Sequence, residues 1–377
     1  MRYCTKCVMP DTRPGIKFDE NGVCYPCLSA EKRKDIDWKK RQKELKELVK
    51  KYKRNDGHYD CVIPASGGKD STYQAHIMKN ILGMNPLIIC VSDSYSHTKT
   101  GQHNLYNMSE TFGCDLITYN LNHNTMRKMT KIAFEEWAGP NWPVDLPIYS
   151  VPLKLAHKLD IPLIVYGENI AYEYGGPNAE ETYSAKDQIK NDVVKPIDWE
   201  FWYKNGITNE EVEMIKYPSE EIVDKLEPIY ISYFYPWDGR KNYEIATQFG
   251  FRNLKHEWMR EGFIEQYDQV DSIGYLVHPW LKYPKFGHAR ATDVASYWIR
   301  NGYITREKGI ELVKNNDHIL DQKALDDFLH FTGYTNEQFW NILEKFWNKE
   351  IFEKIDGVWK LKNPIYEKEK TKQVQYA

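Results

Sequence analysis

The chain has 377 residues with 51 Lys or Arg against 54 Asp or Glu, a formal net charge of −3. That length allows two or three domains or one large core with additions, and that charge supplies no overall basic field for nucleic acid. No signal peptide opens the chain and no apolar run is long enough to span a bilayer, so a cytoplasmic protein without membrane contact is expected.

The first predicted element is a four-cysteine module over residues 1–30. Cys4-x-x-Cys7 and Cys24-x-x-Cys27 stand sixteen residues apart, and Pro10, Pro14, Gly15 and Gly22 fill the connection with turn chemistry. Two such knuckles suit one tetrahedral Zn²⁺ on four thiolates, a closed and therefore structural site. A module this poor in apolar residues would take its folding energy from the metal, about 10–16 kcal/mol in small zinc modules. Disulfides are the first alternative, disfavoured in a reducing compartment. A cysteine-ligated iron–sulfur cluster is the second. Cys61, Cys90 and Cys114 sit singly in apolar, strand-like runs and read as core.

A basic amphipathic helix follows as a linker over residues 31–56. Glu31 to Arg54 holds twelve Lys or Arg against five Asp or Glu, and Leu45, Leu48, Val49 and Tyr52 make one apolar stripe at helical spacing. Such a helix either packs on the main domain with a solvated basic face or docks an acidic partner or RNA backbone.

Next comes Tyr59–Ala65, an apolar run that reads as a buried strand, then Ser66-Gly67-Gly68-Lys69-Asp70-Ser71, then a helix over Thr72–Leu82. Glycines between a strand and a helix N-terminus make an anion site: the backbone comes close and free N–H groups meet the positive end of the helix dipole. The spacing is not that of Walker A. The hexapeptide resembles the PP-loop, S-G-G-x-D-S, of the ATP pyrophosphatase superfamily, whose members cut ATP between the α and β phosphates and adenylate an oxygen of their substrate. The resemblance implies that Ala65, Ser66, Gly67, Gly68, Lys69, Asp70 and Ser71 bind the nucleotide. In that reading Lys69 adds positive charge and Asp70 holds Mg²⁺.

Further strands are predicted at Pro86–Ser92, Asp115–Asn120 and Ile161–Tyr166, and helices at Thr100–Phe112, Thr125–Trp137 and Ile148–Leu159. This rhythm predicts an α/β fold, a doubly wound parallel sheet, with the PP-loop domain over 57–250 and ligands beyond the C-terminal strand ends. By the same resemblance Val91 and Ser92 contact adenosine. Gly167-Glu168-Asn169 ends the fourth strand and marks an active-site wall, or else a capping Glu and a turn. There Glu168 is a candidate for metal or ammonia, Asn169 for a phosphate or substrate hydroxyl, and Tyr174 for substrate.

An inserted lobe is expected over about 178–227, and the aromatics from Asn178 to Trp237 are candidates for the walls of a sugar pocket, for core or for an interface. Ile229–Tyr235 reads as a last strand. From residue 251 the chain reads as helical to about Phe346 and ends in a charged tail. Within Lys285–Asp293, Arg290 suits a bidentate phosphate or carboxylate contact. Asp293 is either functional or, like Thr292, a cap of the helix Val294–Asn301. His288 is a weaker candidate for general base or substrate contact.

Taken together, C-x-x-C-V-x-P-D-T-R-P-G, the second C-x-x-C, Asp37-Trp38-Lys39, Ser66–Ser71, Gly167-Glu168-Asn169 and Phe286-Gly287-x-Ala289-Arg290-Ala291-Thr292-Asp293 resemble the N-acetyl sugar amidotransferase family from Cys4 to about Glu311. His288 stands where glycine is expected. The resemblance implies conversion of a sugar acetamido group to acetamidino with ATP, and lipopolysaccharide O-antigen, pseudaminic or legionaminic acids as the end products. It also implies a separate glutaminase subunit with a cyclase-like companion as the ammonia source, since the chain itself holds no convincing glutaminase. The alternative is a tRNA-modifying PP-loop enzyme that thiolates or amidates a base. Net charge and the ordered motifs weigh against it.

Overall fold

The computed structural model describes residues 1–174, 181–188 and 198–367, without the side chains of Ala171 and Tyr174. Five strands, β1 (Cys61–Pro64), β2 (Pro86–Ser92), β3 (Leu116–Asn120), β4 (Leu163–Tyr166) and β5 (Glu227–Tyr230), form one sheet in the order β3-β2-β1-β4-β5. Every neighbouring pair is parallel.

Parallel strands need crossovers, and these cover both faces with helices. Alternate residues of each strand therefore enter different cores. Ile63, Ile88, Leu163 and Val165 pack with Leu45, Val49, Tyr73, Ile77 and Met108 on one face. Val62, Leu87, Ile89 and Ile164 pack with Leu153, Ala156 and Leu226 on the other. The chain leaves β1 for β2 and β3 on one side and returns to β4 on the other. β1 and β4 are thus neighbours at a topological switch point, where a crevice opens past their C-terminal ends.

Besides shorter helical turns, the helices include α1 (Tyr25–Lys32), α2 (Trp38–Lys50), α3 (Lys69–Ala75), α4 (Lys99–Phe112), α5 (His123–Trp137), α6 (Pro147–Lys158), α7 (Ile170–Tyr174), α8 (Gly239–Gln248), α9 (Val277–Phe286), α10 (Arg290–Arg300), α11 (Arg306–Asn316), α12 (Gln322–Thr332) and α13 (Asn336–Glu344). α1 crosses residue 30, and α2 is capped by the Asp37 carboxylate. α2 buries Leu45 and Val49 against the sheet and leaves its basic face to solvent.

Several elements depart from the sequence expectation. The helix after the glycines begins at Lys69, three residues earlier than expected, with Gly68 at its N-cap position, and it widens into a π turn over His76–Ile81. The last strand stops at Tyr230, where its partner β4 stops, and Ile231–Phe234 coils into a helical turn as the Ser232 N–H donates to the Gly167 carbonyl. Cys114 lies in the turn before β3 and not in a strand. Beyond Phe346 an antiparallel hairpin forms, β6 (Phe352–Ile355) and β7 (Val358–Leu361), where a charged tail was expected.

The C-terminal helices enclose a core of their own in which Phe328, Phe331 and Phe339 meet Phe134 of α5. The cysteine module packs on these helices. Val8 joins Ala295, Ile310 and Val313, and the Arg306 guanidinium donates to the Cys7 and Cys4 carbonyls at 3.1 and 3.4 Å. In the described part of the inserted lobe, Trp202 stacks on Trp142 with ring centroids 5.0 Å apart and is fully buried.

Candidate active site

β1 carries the chain to the sheet edge, and the glycine turn follows at once. Gly67 has φ of +82°, and a Cβ there would stand 2.6 Å from the Leu105 nitrogen of α4. Both facts require glycine. The Ser71 and Thr72 hydroxyls turn back to donate to the Gly68 carbonyl at 2.9 and 3.1 Å. The first N–H groups of α3 have no intrahelical acceptor and remain available to an anion.

A cavity of about 570 Å³ opens at the switch point, lined by Ala65, Ser66, Gly68, Lys69, Asp70 and Ser71 from the turn, by Val91 from β2 and by Gly167 and Glu168 just past the end of β4. The distant α10 adds Arg290 and Asp293. The fold thus brings together most of the candidate residues.

Others stand apart. Gly67 packs against α4 instead of lining the cavity. Ser92 is not on the wall; its hydroxyl is 3.0 Å from His97 Nε2. Asn169 is buried, and its Oδ1 accepts from the Tyr172 N–H at 3.3 Å, so it braces the first turn of α7. His288 lies off the wall with both ring nitrogens buried and without a hydrogen-bond partner among the described residues. Burial pushes its pKa down to about 3, which leaves no base aimed at a substrate. The Tyr174 side chain lies outside the described residues. Neither Thr292 nor Asp293 caps the following helix: α10 begins earlier, with Ala289 as its N-cap. Of the stretch from Asn178 to Trp237, only Tyr230 and Trp237 line the cavity among the described residues.

The electrostatics turn on residues that sequence reasoning passed over. Asp268, in the loop before α9, is ion-paired with Lys69 through Oδ1 and with Arg290 through Oδ2, the latter at 2.6 Å. Burial opposes the Asp268 charge, but Lys69 and then Arg290 outweigh it and hold its pKa down to about 2. Burial likewise opposes the Lys69 charge, and Asp268 and Asp70 together hold the ammonium well above its ordinary range. Asp70 also accepts from Lys69 at 2.6 Å and from the Asn242 amide at 2.8 Å. Arg13, from the loop between the two cysteine pairs, reaches the same cavity and pairs with Asp293 at 2.7 Å, and Lys282 of α9 pairs with the same carboxylate. Arg13 stood within a quoted motif, but nothing in the sequence ties Asp268 or Lys282 to the glycine turn.

Glu168 is half-buried, and desolvation, followed by the nearby Asp70 charge, pushes its pKa up to about 8. Glu168 and Asp70 share one wall of the cavity, and the Asp70 carboxylate is an oxygen donor of the kind suited to Mg²⁺.

The four cysteines of the N-terminal module are buried, and their sulfurs lie within 4.8 Å of one another. The Cys4–Cys27 and Cys7–Cys24 separations are 3.9 and 3.7 Å. A tetrahedron with metal–sulfur bonds of about 2.3 Å has edges of about 3.8 Å, so the group fits a single ion. The Cys7 and Cys24 N–H groups point at the Cys4 sulfur at 3.4 and 3.3 Å and stabilise thiolate charge there.

Fold and cavity together define an α/β protein with a glycine turn in a cavity at its switch point and a separate buried four-cysteine group that could hold a metal ion. Residues 246–366 match the family described as LPS biosynthesis protein WbpG-like, C-terminal domain. Over 124 residues the chain is 28% identical to a Methanocaldococcus jannaschii protein described as Uncharacterized protein MJ1599. That stretch is 33% of this chain and 44% of the relative, so the chain matches less than half of that relative's length. Among solved structures, a predicted subunit of tRNA methyltransferase from M. jannaschii is similar with a TM-score of 0.29 and 11% identity, covering 70% of this chain and 93% of that one. The NH3-dependent NAD synthetase of Campylobacter jejuni gives 0.28 and 11%, covering 57% and 97%. The U34-tRNA thiolase NcsA of Methanococcus maripaludis, with its [4Fe-4S] cluster, gives 0.31 and 15%, covering 89% and 97%.

Proposed function

We propose that this chain is an ATP-dependent amidotransferase that converts an acetamido group of a bacterial surface sugar to acetamidino and forms AMP and pyrophosphate. The observation that carries the reading is the convergence of the glycine turn, Lys69, Asp70, Glu168 and Arg290 on one cavity at the switch point. The match of residues 246–366 to a family described by LPS biosynthesis supports a surface sugar as the acceptor.

The chemistry explains the need for ATP. An amide oxygen is a poor leaving group. In the first step that oxygen forms a bond to the α-phosphorus, the α–β bridge breaks, and pyrophosphate leaves with the bridging oxygen. The α3 N–H groups, Ser66 and Ser71 receive the departing pyrophosphate, and Lys69 and Arg290 offset its growing charge. Asp70 would hold Mg²⁺, which supplies further charge neutralisation when bound. In the second step ammonia adds to the imidate carbon and AMP leaves with the former amide oxygen. Glu168 titrates near neutrality and takes the proton that the attacking nitrogen sheds. Ammonia is mostly ammonium at neutral pH, so a glutaminase subunit with a cyclase-like companion is the proposed source, delivering it in a protected form.

In the cysteine module the ion is proposed to be Zn²⁺. The Cys4–Cys27 and Cys7–Cys24 separations match the edge of a single tetrahedral ion and all four sulfurs lie within 4.8 Å of one another, whereas a four-iron cube would spread them further apart. Its role is structural: it fixes the loop that carries Arg13.

The test is AMP and pyrophosphate release from Mg-ATP with ammonium and a panel of acetamido sugars, with sugar mass read in parallel. Sugar-dependent AMP with a product about one mass unit lighter, the balance of C=O against C=NH, supports the reading. AMP that appears only with tRNA sinks it.

A further inference from the structure

The cavity wall built from α9 and α10 holds two carboxylates, and each is shared by two cations. Asp268 pairs with Lys69 and Arg290, beside the glycine turn that serves the nucleotide. Asp293 pairs with Arg13 and Lys282, and no part of the nucleotide chemistry above uses that group. Arg290 and Asp293 stand one turn apart on α10 and face the same space.

The second group carries surplus charge. Arg13, Lys282 and Asp293 expose only 18, 24 and 8% of their side chains, and among the described residues Asp293 is the one carboxylate paired with either cation. Two cations on one acid, largely withdrawn from water, leave a net positive charge that costs desolvation energy unless an anion meets it. His288 is adjacent but neutral, since burial keeps its imidazole uncharged, so it adds nothing to the balance. All three members of the group line the cavity. The chain also reaches far to make it: Arg13 arrives from the cysteine module, held in place through Arg306 and Val8.

We propose that Arg13 and Lys282, set on Asp293, form an oxyanion subsite for the acceptor: a carboxylate on an acidic sugar, or a phosphate of a nucleotide-linked one. The planar guanidinium suits two oxygens of either group, and the lysine adds a point charge. The inference rests on the amidotransferase reading for the identity of the acceptor, but not for the existence of an anion site.

The experiment titrates the metal-loaded full chain calorimetrically with three probes: UDP-N-acetylglucosamine, N-acetylneuraminate and uncharged N-acetylglucosamine, with Mg-ATP as control. The wild type is expected to bind one charged probe at least about tenfold more tightly than the neutral sugar. Whichever charged probe binds identifies the source of the oxyanion. Arg13→Gln and Lys282→Gln should each weaken that binding about tenfold or more while Mg-ATP affinity stays within about twofold, and Arg13→Lys should recover part of it. Unchanged binding in both variants, equal loss of Mg-ATP binding, or no preference of the wild type for a charged probe overturns the subsite. Should Arg13→Gln lose its metal or its fold, Lys282→Gln decides alone. Charged-probe binding that depends on Arg13 but never yields sugar-dependent AMP leaves the subsite standing and sinks the amidotransferase reading instead.

Discussion

Asp268 is ion-paired with Lys69, the lysine of the glycine turn, from a loop that lies far along the chain. The contact ties the C-terminal region to the glycine-turn end of the sheet, and it sets the position of the Lys69 ammonium. The second oxygen of Asp268 holds Arg290 in the same way.

Removing this carboxylate leaves two nearly buried cations without their shared partner. Asp268→Asn is expected to lower stability by about 3 kcal/mol, the scale of breaking a buried ion pair from one side. Urea unfolding measures it. AMP release should fall with it, since Lys69 and Arg290 lose their anchor. A variant that unfolds at the wild-type urea concentration would show that the pair contributes nothing to the fold.

The same carboxylate predicts an acid limb in stability. Its pKa in the folded chain, about 2, lies below the ordinary 3.8. A depressed folded value stabilises the fold above the unfolded pKa, and that contribution drains away as pH falls from about 4 to about 2. It amounts to about 2 kcal/mol. Thermal melts of wild type and Asp268→Asn should therefore converge as pH falls toward 2.

Glu168 predicts the pH profile of activity. Its pKa is raised to about 8, so the fraction able to accept a proton grows from about pH 6, reaches half near pH 8 and levels only above about pH 9. AMP release at saturating substrate is expected to follow that limb. Glu168→Gln should lose about 10²–10⁴ in rate and also lose the limb, because the amide does not titrate. A profile unchanged in the variant would remove Glu168 from proton transfer.

Gly67 admits no side chain. Gly67→Ala would combine a left-handed backbone with a Cβ 2.6 Å from the Leu105 nitrogen, and that neighbour is backbone within a helix and cannot turn aside. A cost of about 2–4 kcal/mol is expected, with loss of Mg-ATP binding as the turn shifts. Calorimetry with Mg-ATP reads it.

Metal analysis of the purified chain is expected to give one zinc per chain. Cys4→Ser should release it and lower the melting temperature. The Arg13 contact at the cavity should loosen as well, so charged-sugar binding should drop more than Mg-ATP binding. Iron in place of zinc would change the identity of the site.

The sequence alone determined the local parts. The alternation of apolar and polar runs announces the parallel sheet, because strands buried on both faces must be apolar throughout and their crossovers helical. Ser66–Ser71 announces a tight turn between strand and helix, because its two glycines allow a backbone that other residues do not. The two C-x-x-C pairs announce a metal group, since each knuckle places its own two sulfurs together.

Tertiary structure decided everything that depends on residues meeting across the chain. No periodicity relates Asp268 to Lys69 or Lys282 to Arg13. The stop of the last strand at Tyr230 was set by the length of its neighbour β4 and not by its own apolar run. His288 and Asn169 look like site residues in sequence, yet packing turns both away from the cavity. Local chemistry can be read from neighbours in the chain, whereas charge balance in a cavity depends on side chains delivered by separate elements, and only the folded packing fixes which of them face one another.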